Sequence, residues 1–402
     1  MNGEPDGVRF WDVQSLDAWV LRGHRSYVYS VFISPDGGTI YSGGWDGFAG
    51  QRGSVRFWDA ATGDPIGAVG AAGEFARTAA LSPDGSRLAV WFCPLTGNGG
   101  RIDILDTATG TTAVSFAKLG ANREFQFIDT LAFDPSGQFL TCLDPSLGIA
   151  HIIDARTGVA RKSRRIGNPN NGGNALAGSP DGATIVLWEE TTITLLDGQS
   201  LEPLRQWPHG HKGAVYSVAV SPDSRRILTS GEDGIVRVWD AATGAPLHDL
   251  VGHANRVLCA SYSPDGQRIA TGGFDDNVRI WNAQTFEQVA RLGGHQDYVH
   301  GLAWRADNQQ LLSCSGDHTI RIWDTQSLKD RIQARRERQT ILAEVEPMVQ
   351  RFFVELGDAG KVVEKVKADK LLTARARQVA LQVALRISLD RMSHPEKASA
   401  KL

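Results

Sequence analysis

The sequence has few cysteines and no excess of charge of either sign. Four of its 402 residues are cysteine, Cys93, Cys142, Cys259 and Cys314, and none stands in a CxxC or other metal-ligand spacing. This usage favours a reducing compartment, so we expect a cytoplasmic protein. The formal net charge of −3 implies no strong attraction to nucleic acid.

The sequence also lacks the segments that direct a chain to a membrane. No run approaches the roughly 18 apolar residues that a transmembrane helix needs. Residues 1–6 carry no basic and apolar signal segment. We therefore expect neither a membrane span nor a membrane partner.

Motifs of common catalytic sites are missing too. There is no G-x-x-x-x-G-K-[ST], no kinase glycine loop with its lysine, no G-x-S-x-G and no H-E-x-x-H. His209 and His211 could form a metal pair, but a structural role explains His211 better. The expectation is no metal, no cofactor and no enzymatic activity.

The sequence does contain one unit that is repeated several times. Between residues 210 and 324 a Gly-His pair, a turn Asp and a closing Trp each return after 42 residues. A Ser or Thr lies four residues before each Asp, and the Asp lies six residues before the Trp. A period of about 40–45 residues ending in Trp-Asp is typical of a four-stranded propeller blade.

Four copies carry the complete set of polar side chains. We predict that the Asp accepts a hydrogen bond from the His ring, that the ring reaches the hydroxyl, and that the hydroxyl reaches the indole N–H. A catalytic set would occur once rather than in every repeat, so we interpret the sets as structural. The predicted tetrads are His24, Ser42, Asp46 and Trp58; His211, Thr229, Asp233 and Trp239; His253, Thr271, Asp275 and Trp281; and His295, Ser313, Asp317 and Trp323.

These tetrads resemble those of the WD-repeat β-propeller family. Three weaker repeats, between residues 60 and 200, keep the Pro-containing hairpin turns but lack the His and close on an aliphatic residue before the Asp. We expect packing alone to hold these blades and the blades to be the looser half. The fold class is predicted as all-β, a seven-bladed β-propeller of WD repeats with a C-terminal α-helical extension. The seven repeats are marked by strand ends at Asp59, Asp106, Asp154, Asp197, Asp240, Asn282 and Asp324.

Four segments are predicted along the chain. Residues 1–12 hold a surplus strand, Val8–Asp12, or the remnant of a blade from a longer array upstream. Residues 13–326 form the propeller, whose ring closes if a strand at 18–21 pairs beside 320–323. Residues 327–393 form the helical extension, and residues 394–402 a disordered tail. In the first complete repeat a six-residue, Gly-rich insertion falls within residues 48–54.

The extension shows helical spacing of apolar residues from Leu328 onward, with a possible kink at Pro347. Gly357 and Gly360 should break the helix, and two more helical segments follow. From residue 327 on, 16 Lys and Arg face 10 Asp and Glu, a net charge of +6 against −9 for the rest. The extension either docks on the acidic ring or forms a solvated hairpin.

Function is predicted from the resemblance, because family members mostly serve as interaction platforms. It implies a non-catalytic scaffold, a monomeric ring, that binds a protein or peptide on one propeller face. The second alternative is a regulatory segment of a larger serine/threonine kinase-type protein, since the extension resembles segments of multidomain bacterial WD-repeat proteins. The third is a propeller hydrolase or oxidoreductase with a channel-mouth site. The residues predicted to line the partner-binding face are Tyr27, Tyr29, Trp45, Tyr216, Glu232, Arg256, Phe274, Tyr298 and His300.

Overall fold

A computed structural model describes residues 18–46, 54–94, 99–117, 128, 130–144, 147–166, 175–189, 191–324 and 328–393 of the chain. The predicted strand at Val8–Asp12, most of the 48–54 insertion and the predicted tail 394–402 lie outside the described residues. Within them the chain forms seven four-stranded antiparallel sheets, followed by three helices.

Each sheet is one blade, and its strands follow one another from the centre of the ring outward. Blade 1 is β2 (Val28–Ile33), β3 (Thr39–Gly44), β4 (Val55–Asp59) and β5 (Pro65–Val69); blade 2 is β6 (Glu74–Leu81), β7 (Arg87–Pro94), β8 (Arg101–Asp106) and β9 (Thr112–Phe116); blade 3 is β10 (Thr130–Phe133), β11 (Phe139–Asp144), β12 (Ile149–Asp154) and β13 (Ala160–Arg165); blade 4 is β14 (Leu176–Gly178), β15 (Thr184–Glu189), β16 (Thr192–Asp197) and β17 (Pro203–Pro208). Blade 5 is β18 (Val215–Val220), β19 (Arg226–Gly231), β20 (Ile235–Asp240) and β21 (Pro246–Val251); blade 6 is β22 (Val257–Tyr262), β23 (Arg268–Gly273), β24 (Val278–Asn282) and β25 (Gln288–Leu292); blade 7 is β26 (Val299–Trp304), β27 (Gln310–Ser315), β28 (Thr319–Asp324) and β1 (Trp19–Arg22).

The ring closes through the pairing that the sequence predicts. Strand β1 lies antiparallel to β28, with Trp19 opposite Ile322 and Arg22 opposite Thr319. The first strand of each blade contacts the first strand of the next around the full circle. Closure gives blade 7 its fourth strand, so each blade is a complete four-stranded sheet whose short edges are protected by the ring. The predicted seven-bladed propeller is confirmed.

The hydrophobic core lies between neighbouring blades. One cluster joins Ile40 and Trp58 of blade 1 to Leu312 and Ile320 of blade 7, and all four are almost fully buried. Equivalent clusters join other neighbouring blades. Each blade packs one face against the preceding blade and the other face against the next. Its inner strands therefore carry apolar side chains on both faces.

Antiparallel strands give the ring two distinct faces. The tetrad face carries the connections between blades and the turns between second and third strands, with His24 and Asp46 as examples. The turn face carries the hairpins between first and second strands and between third and fourth, such as residues 34–37 and 59–63. Loops on the two faces are therefore free to contact different neighbours.

The extension consists of α1 (Leu328–Leu356), α2 (Ala359–Ala368) and α3 (Ala374–Ser393). Helix α1 continues through Pro347 and ends before Gly357, which has a φ of 70°. The expected break at Gly360 is wrong, because this residue lies in the first turn of α2, which Asp358 caps by accepting from the Lys361 N–H. No helix in the described part of the chain is long and apolar enough to span a membrane.

The extension docks on the turn face of blades 1 and 2. Leu385 and Leu389 of α3 join the core cluster that contains Ile66 of β5. The Arg338 guanidinium donates to the Asp59 carboxylate at 2.8 Å, and the Asp59 side chain is fully buried. The alternative of a solvated hairpin is therefore wrong, since the helices bury apolar and charged groups against the ring.

Candidate binding face

The four tetrads lie in blades 5, 6, 7 and 1, which are consecutive around the ring. In blade 6 His253 Nδ1 lies 2.9 Å from Asp275, His253 Nε2 lies 2.8 Å from the Thr271 hydroxyl, and the Trp281 N–H donates to the same hydroxyl at 2.9 Å. Corresponding distances in the other three tetrads fall between 2.7 and 2.9 Å. The predicted spacing thus brings all four groups of each tetrad together.

One protonation pattern satisfies every donor in a tetrad. The indole N–H donates to the hydroxyl oxygen, the hydroxyl donates to Nε2 of the imidazole, and the Nδ1–H donates to the carboxylate. This pattern needs a neutral imidazole. Burial lowers the pKa of His24, the strongest effect there, which keeps that ring neutral near pH 7.

The tetrad carboxylates stay ionised in spite of their burial. Burial is the strongest single effect on Asp46 and opposes ionisation. Hydrogen bonds from His24, the Arg25 N–H and Arg56 outweigh it and lower the pKa of Asp46 to about 2. In the other three tetrads the same balance holds the pKa of the Asp well below its usual range.

An arginine two residues before the tetrad Trp was missed by the sequence reasoning. Arg56 donates to Asp46 at 2.9 Å, Arg237 to Asp233 at 2.9 Å, and Arg279 to Asp275 at 3.4 Å. In blade 7 the corresponding Arg321 donates to the Gly294 carbonyl instead. The sequence contains a visible sign, because Arg stands at this position in all four tetrad repeats.

Blades 2 to 4 hold polar links of their own, so the expectation that packing alone holds them is wrong. In blade 2 Arg101 pairs with Asp103 and Glu74, and the Ser115 hydroxyl donates to Asp103 at 2.6 Å. In blade 3 the His151 ring lies 2.7 Å from the Ser163 hydroxyl. In blade 4 the Gln206 side chain donates to the Thr192 hydroxyl at 2.7 Å. The repeat pattern hides these links because each one differs from blade to blade.

An aromatic belt runs over the tetrad face from blade 6 to blade 2. The rings of Phe274 and Tyr298 stack at 3.8 Å between centroids, and His300 lies 6.4 Å from Tyr298 and 5.2 Å from Tyr29. The belt continues through Tyr27 to Trp45, 6.3 Å apart, and ends at Phe75, 5.3 Å from Trp45. We define the aromatic belt as Phe274, Tyr298, His300, Tyr29, Tyr27, Trp45 and Phe75. The structure therefore brings six of the predicted face residues into one continuous strip.

The other three predicted residues lie at the blade 6 end of the belt. Arg256 lies over the Phe274 ring, 5.5 Å from its centroid, and pairs with Glu232 at 2.6 Å. Tyr216, half-buried in β18, interacts electrostatically with both charged groups. All nine predicted residues therefore lie on the tetrad face of blades 5, 6, 7 and 1.

Four further residues of this surface were missed. They are Phe75 at the end of the belt, Arg77 at 5.9 Å over the Tyr29 ring, His318 at 6.2 Å from Tyr27, and Asp297 next to Tyr298. Phe75 and Arg77 belong to a repeat without a tetrad, so the pattern that identified the others did not extend to them. Their place at the start of an inner strand is the one sign the sequence offers.

Residues 17–59, 201–240, 244–282 and 286–324 match the family WD domain, G-beta repeat. These four ranges contain the four tetrads. The three weaker repeats between residues 60 and 200 lie outside the matched ranges, in agreement with their missing His and Trp.

Several curated proteins are similar to this chain. Over 250 residues it is 34% identical to the guanine nucleotide-binding protein subunit beta of Nicotiana tabacum, covering 60% of this chain and 63% of that protein. Over 40 residues it is 48% identical to eukaryotic translation initiation factor 3 subunit I of Phaeosphaeria nodorum, covering 10% of this chain and 12% of that protein. Over 47 residues it is 47% identical to small ribosomal subunit protein RACK1z of Arabidopsis thaliana, covering 12% and 14%.

The chain spans less than two thirds of the length of each of these relatives. All three are eukaryotic, so they lend no support to the bacterial type expected from the extension. The closed ring, the tetrads and the matched repeats agree with one another. This chain is a seven-bladed β-propeller of WD repeats, followed by three helices.

Proposed function

We propose that this chain is a non-catalytic scaffold that binds a protein or peptide partner on the tetrad face. The observation that carries the proposal is the aromatic belt. Tyr27 and Tyr298 expose 36% of their surface there although both are large and partly apolar. Tyr, Trp and Arg are the residues most often found at the energetic centres of protein interfaces.

The belt rests on a rigid support. It lies above blades 6, 7 and 1, where tetrad hydrogen bonds fix the loops that hold its rings. A preorganised surface loses little conformational entropy on binding, which favours affinity. The names of the relatives describe them as subunits of larger assemblies, which supports a role in protein binding.

The tetrads support a non-catalytic role. Each tetrad imidazole is engaged at both ring nitrogens, by a carboxylate and by a hydroxyl. The same two contacts also occur in a catalytic Ser-His-Asp triad. The tetrad hydroxyls differ from a catalytic nucleophile because they are at most 1% exposed and accept the indole N–H, so substrate cannot reach them. Groups of three or more His, Cys, Asp or Glu with metal-binding geometry are not found in the described ranges.

We place the protein in the cytoplasm as a monomeric ring. All four cysteines are buried free thiols, in keeping with a reducing compartment. One chain supplies every strand of the closed ring, so closure needs no second copy.

The test is partner binding by two variants of the full chain. Affinity purification from the source organism identifies the partner, and its affinity is then measured with purified proteins. Tyr298→Ala combined with Tyr27→Ala should weaken binding by several hundredfold or more, because hot-spot aromatic residues contribute about 2 kcal/mol or more each.

The matched control is Leu204→Ala. Leu204 is 56% exposed on the outer strand of blade 4, away from the belt, and its loss should leave affinity unchanged. Equal affinities for wild type, belt variant and control would refute the proposed surface.

A further inference from the structure

We infer that the partner places a basic side chain, arginine or lysine, between Tyr27 and Tyr298 of the aromatic belt, against the carboxylates of Asp297 and Asp276. This inference rests on the proposed function and names the chemistry of the partner. It follows from an exposed aromatic surface that carries two carboxylates with no ion-pair partner among the described residues.

Asp297 lies between the two exposed tyrosines. Its carboxylate accepts a hydrogen bond from the Tyr298 N–H at 2.8 Å. A Cβ atom placed on Gly316 would lie 2.8 Å from an Asp297 oxygen and 3.1 Å from the Tyr27 ring. The carboxylate and the Tyr27 ring therefore both lie against Gly316, and neither Asp297 nor Tyr27 is buried.

Asp276 adds a second negative charge at the same place. Asp276 lies two residues after Phe274 in the turn between β23 and β24, and the Phe274 ring stacks on Tyr298, the residue next to Asp297. In keeping with this placement, burial and then the charge of Asp297 raise the pKa of Asp276. Neither has a Lys, Arg or His nitrogen within 4.0 Å among the described residues. The adjacent tetrad carboxylates differ: Asp275 pairs with Arg279 and Asp317 with His295.

Two cations lie on this surface, Arg77 over the Tyr29 ring and Arg256 over the Phe274 ring, and neither forms an ion pair with Asp297 or Asp276 among the described residues. His300 lies between Tyr29 and Tyr298, and burial lowers its pKa to about 4 against the opposing charge of Asp297. The ring is therefore neutral near pH 7. Arg256, at the blade 6 end, is already neutralised by Glu232.

A basic side chain fits this surface in two ways. Its charge is attracted to the carboxylates, and its cationic head and alkyl stem can pack on the tyrosine rings. The chain already contains the same arrangement within itself, since Arg256 lies over Phe274 and pairs with Glu232. A polyanion such as nucleic acid would instead meet two uncompensated negative charges.

The experiment selects peptides against the immobilised full chain from a phage-displayed library of random sequences. Selected peptides are synthesised and their affinities measured by fluorescence anisotropy. We expect peptides that lose affinity in Tyr298→Ala and that contain Arg or Lys. Replacing that residue by citrulline or Gln should weaken binding about 10- to 100-fold, the range for a charge-assisted hydrogen bond.

Asp297→Asn should remove most of the difference between the basic peptide and its neutral version. Asp307→Asn is the matched control, because Asp307 is an exposed carboxylate in the hairpin between β26 and β27 on the turn face. It should leave the difference intact.

Two results would overturn the inference. Peptides that depend on Tyr298 but tolerate a neutral residue with less than a twofold loss would refute the basic side chain and leave the proposed function standing. A selection that yields no Tyr298-dependent peptide would count against both.

Discussion

At the scale of single residues, each tetrad indole contributes to stability in two ways, by apolar packing between blades and by a hydrogen bond from its N–H. Trp281 is 3% exposed and donates to Thr271 at 2.9 Å. Trp281→Ala should lower the free energy of unfolding by about 3–5 kcal/mol, since it leaves a large cavity between blades. Urea denaturation followed by circular dichroism measures this change.

Trp281→Phe separates the two contributions, because it keeps most of the ring volume and removes the N–H. Trp281→Phe should lower the free energy of unfolding by clearly less than Trp281→Ala does. An alanine variant as stable as wild type would show that the tetrad does not hold blade 6 together.

Acid should destabilise the ring through the tetrads. The folded-state pKa of Asp46 is lowered to about 2, against about 3.9 in the unfolded chain, so its stabilising effect is complete above pH 4 and is lost as the pH falls towards 2. The pKa of His24 is lowered below 6.5, so stability also declines as the pH falls below that value.

Asp46→Asn should reduce the slope of unfolding free energy against pH between 4 and 2, although it destabilises the protein at pH 7. Thermal melts at several pH values give this slope. An identical slope in the variant would mean that Asp46 is not ionised as described.

The side chains that form the tetrads can be predicted from the sequence because they belong to a repeated pattern. The tetrads follow from spacing, because hydrogen-bond partners from different strands must recur at fixed positions. The carboxylate of Asp297 does not follow from spacing, since its partners, Tyr27 and Tyr298, come from two blades whose contact depends on ring closure.

At the scale of elements, one buried and one exposed ion pair join the helical extension to the ring within the described ranges, beside the apolar contacts of α3. Arg338 contacts the fully buried carboxylate of Asp59, whereas Arg335 and Asp64 form a pair whose side chains are 56% and 38% exposed. Arg338→Ala leaves the buried carboxylate of Asp59 without its ion-pair partner. It should lower the free energy of unfolding by about 3–5 kcal/mol. Arg335→Ala should cost at most about 1 kcal/mol.

Hydrogen exchange of α3 measures this difference, because undocking exposes the backbone of that helix. The Arg338 variant should exchange faster over Ala374–Ser393, and the Arg335 variant should match wild type. Equal exchange in both variants would contradict the role given to the buried pair.

The sequence predicts the helices of the extension well because apolar residues recur at helical spacing. It does not predict where they dock. The Gln382 side chain donates to the Gly38 carbonyl at 2.9 Å, a contact between residues 344 positions apart that no local pattern shows.

At the scale of the whole molecule, the tetrads divide the ring into two parts. Blades 5, 6, 7 and 1 contain the four repeated networks, and blades 2, 3 and 4 contain individual polar links. We expect slower amide exchange in the inner strands of the tetrad blades than in blades 3 and 4. Blade 2 should be intermediate, since the extension covers part of it.

Hydrogen exchange with mass spectrometry resolves this order blade by blade. Uniform protection around the ring would show that the tetrads add no local stability. The fold itself is predictable from the sequence because strand ends and turns recur seven times, whereas the order of stability depends on contacts within each blade.

Footprinting of the complex decides whether the partner binds on the tetrad face. Hydroxyl-radical labelling of the full chain, with and without its purified partner, reports the solvent exposure of individual side chains. We predict that the partner protects Tyr27, Tyr298 and Trp45, while Leu204 on the outer strand of blade 4 and Met392 of the extension remain labelled. Protection confined to Leu204, Met392 or the turn face, with the belt labelled as in the free chain, would contradict this prediction.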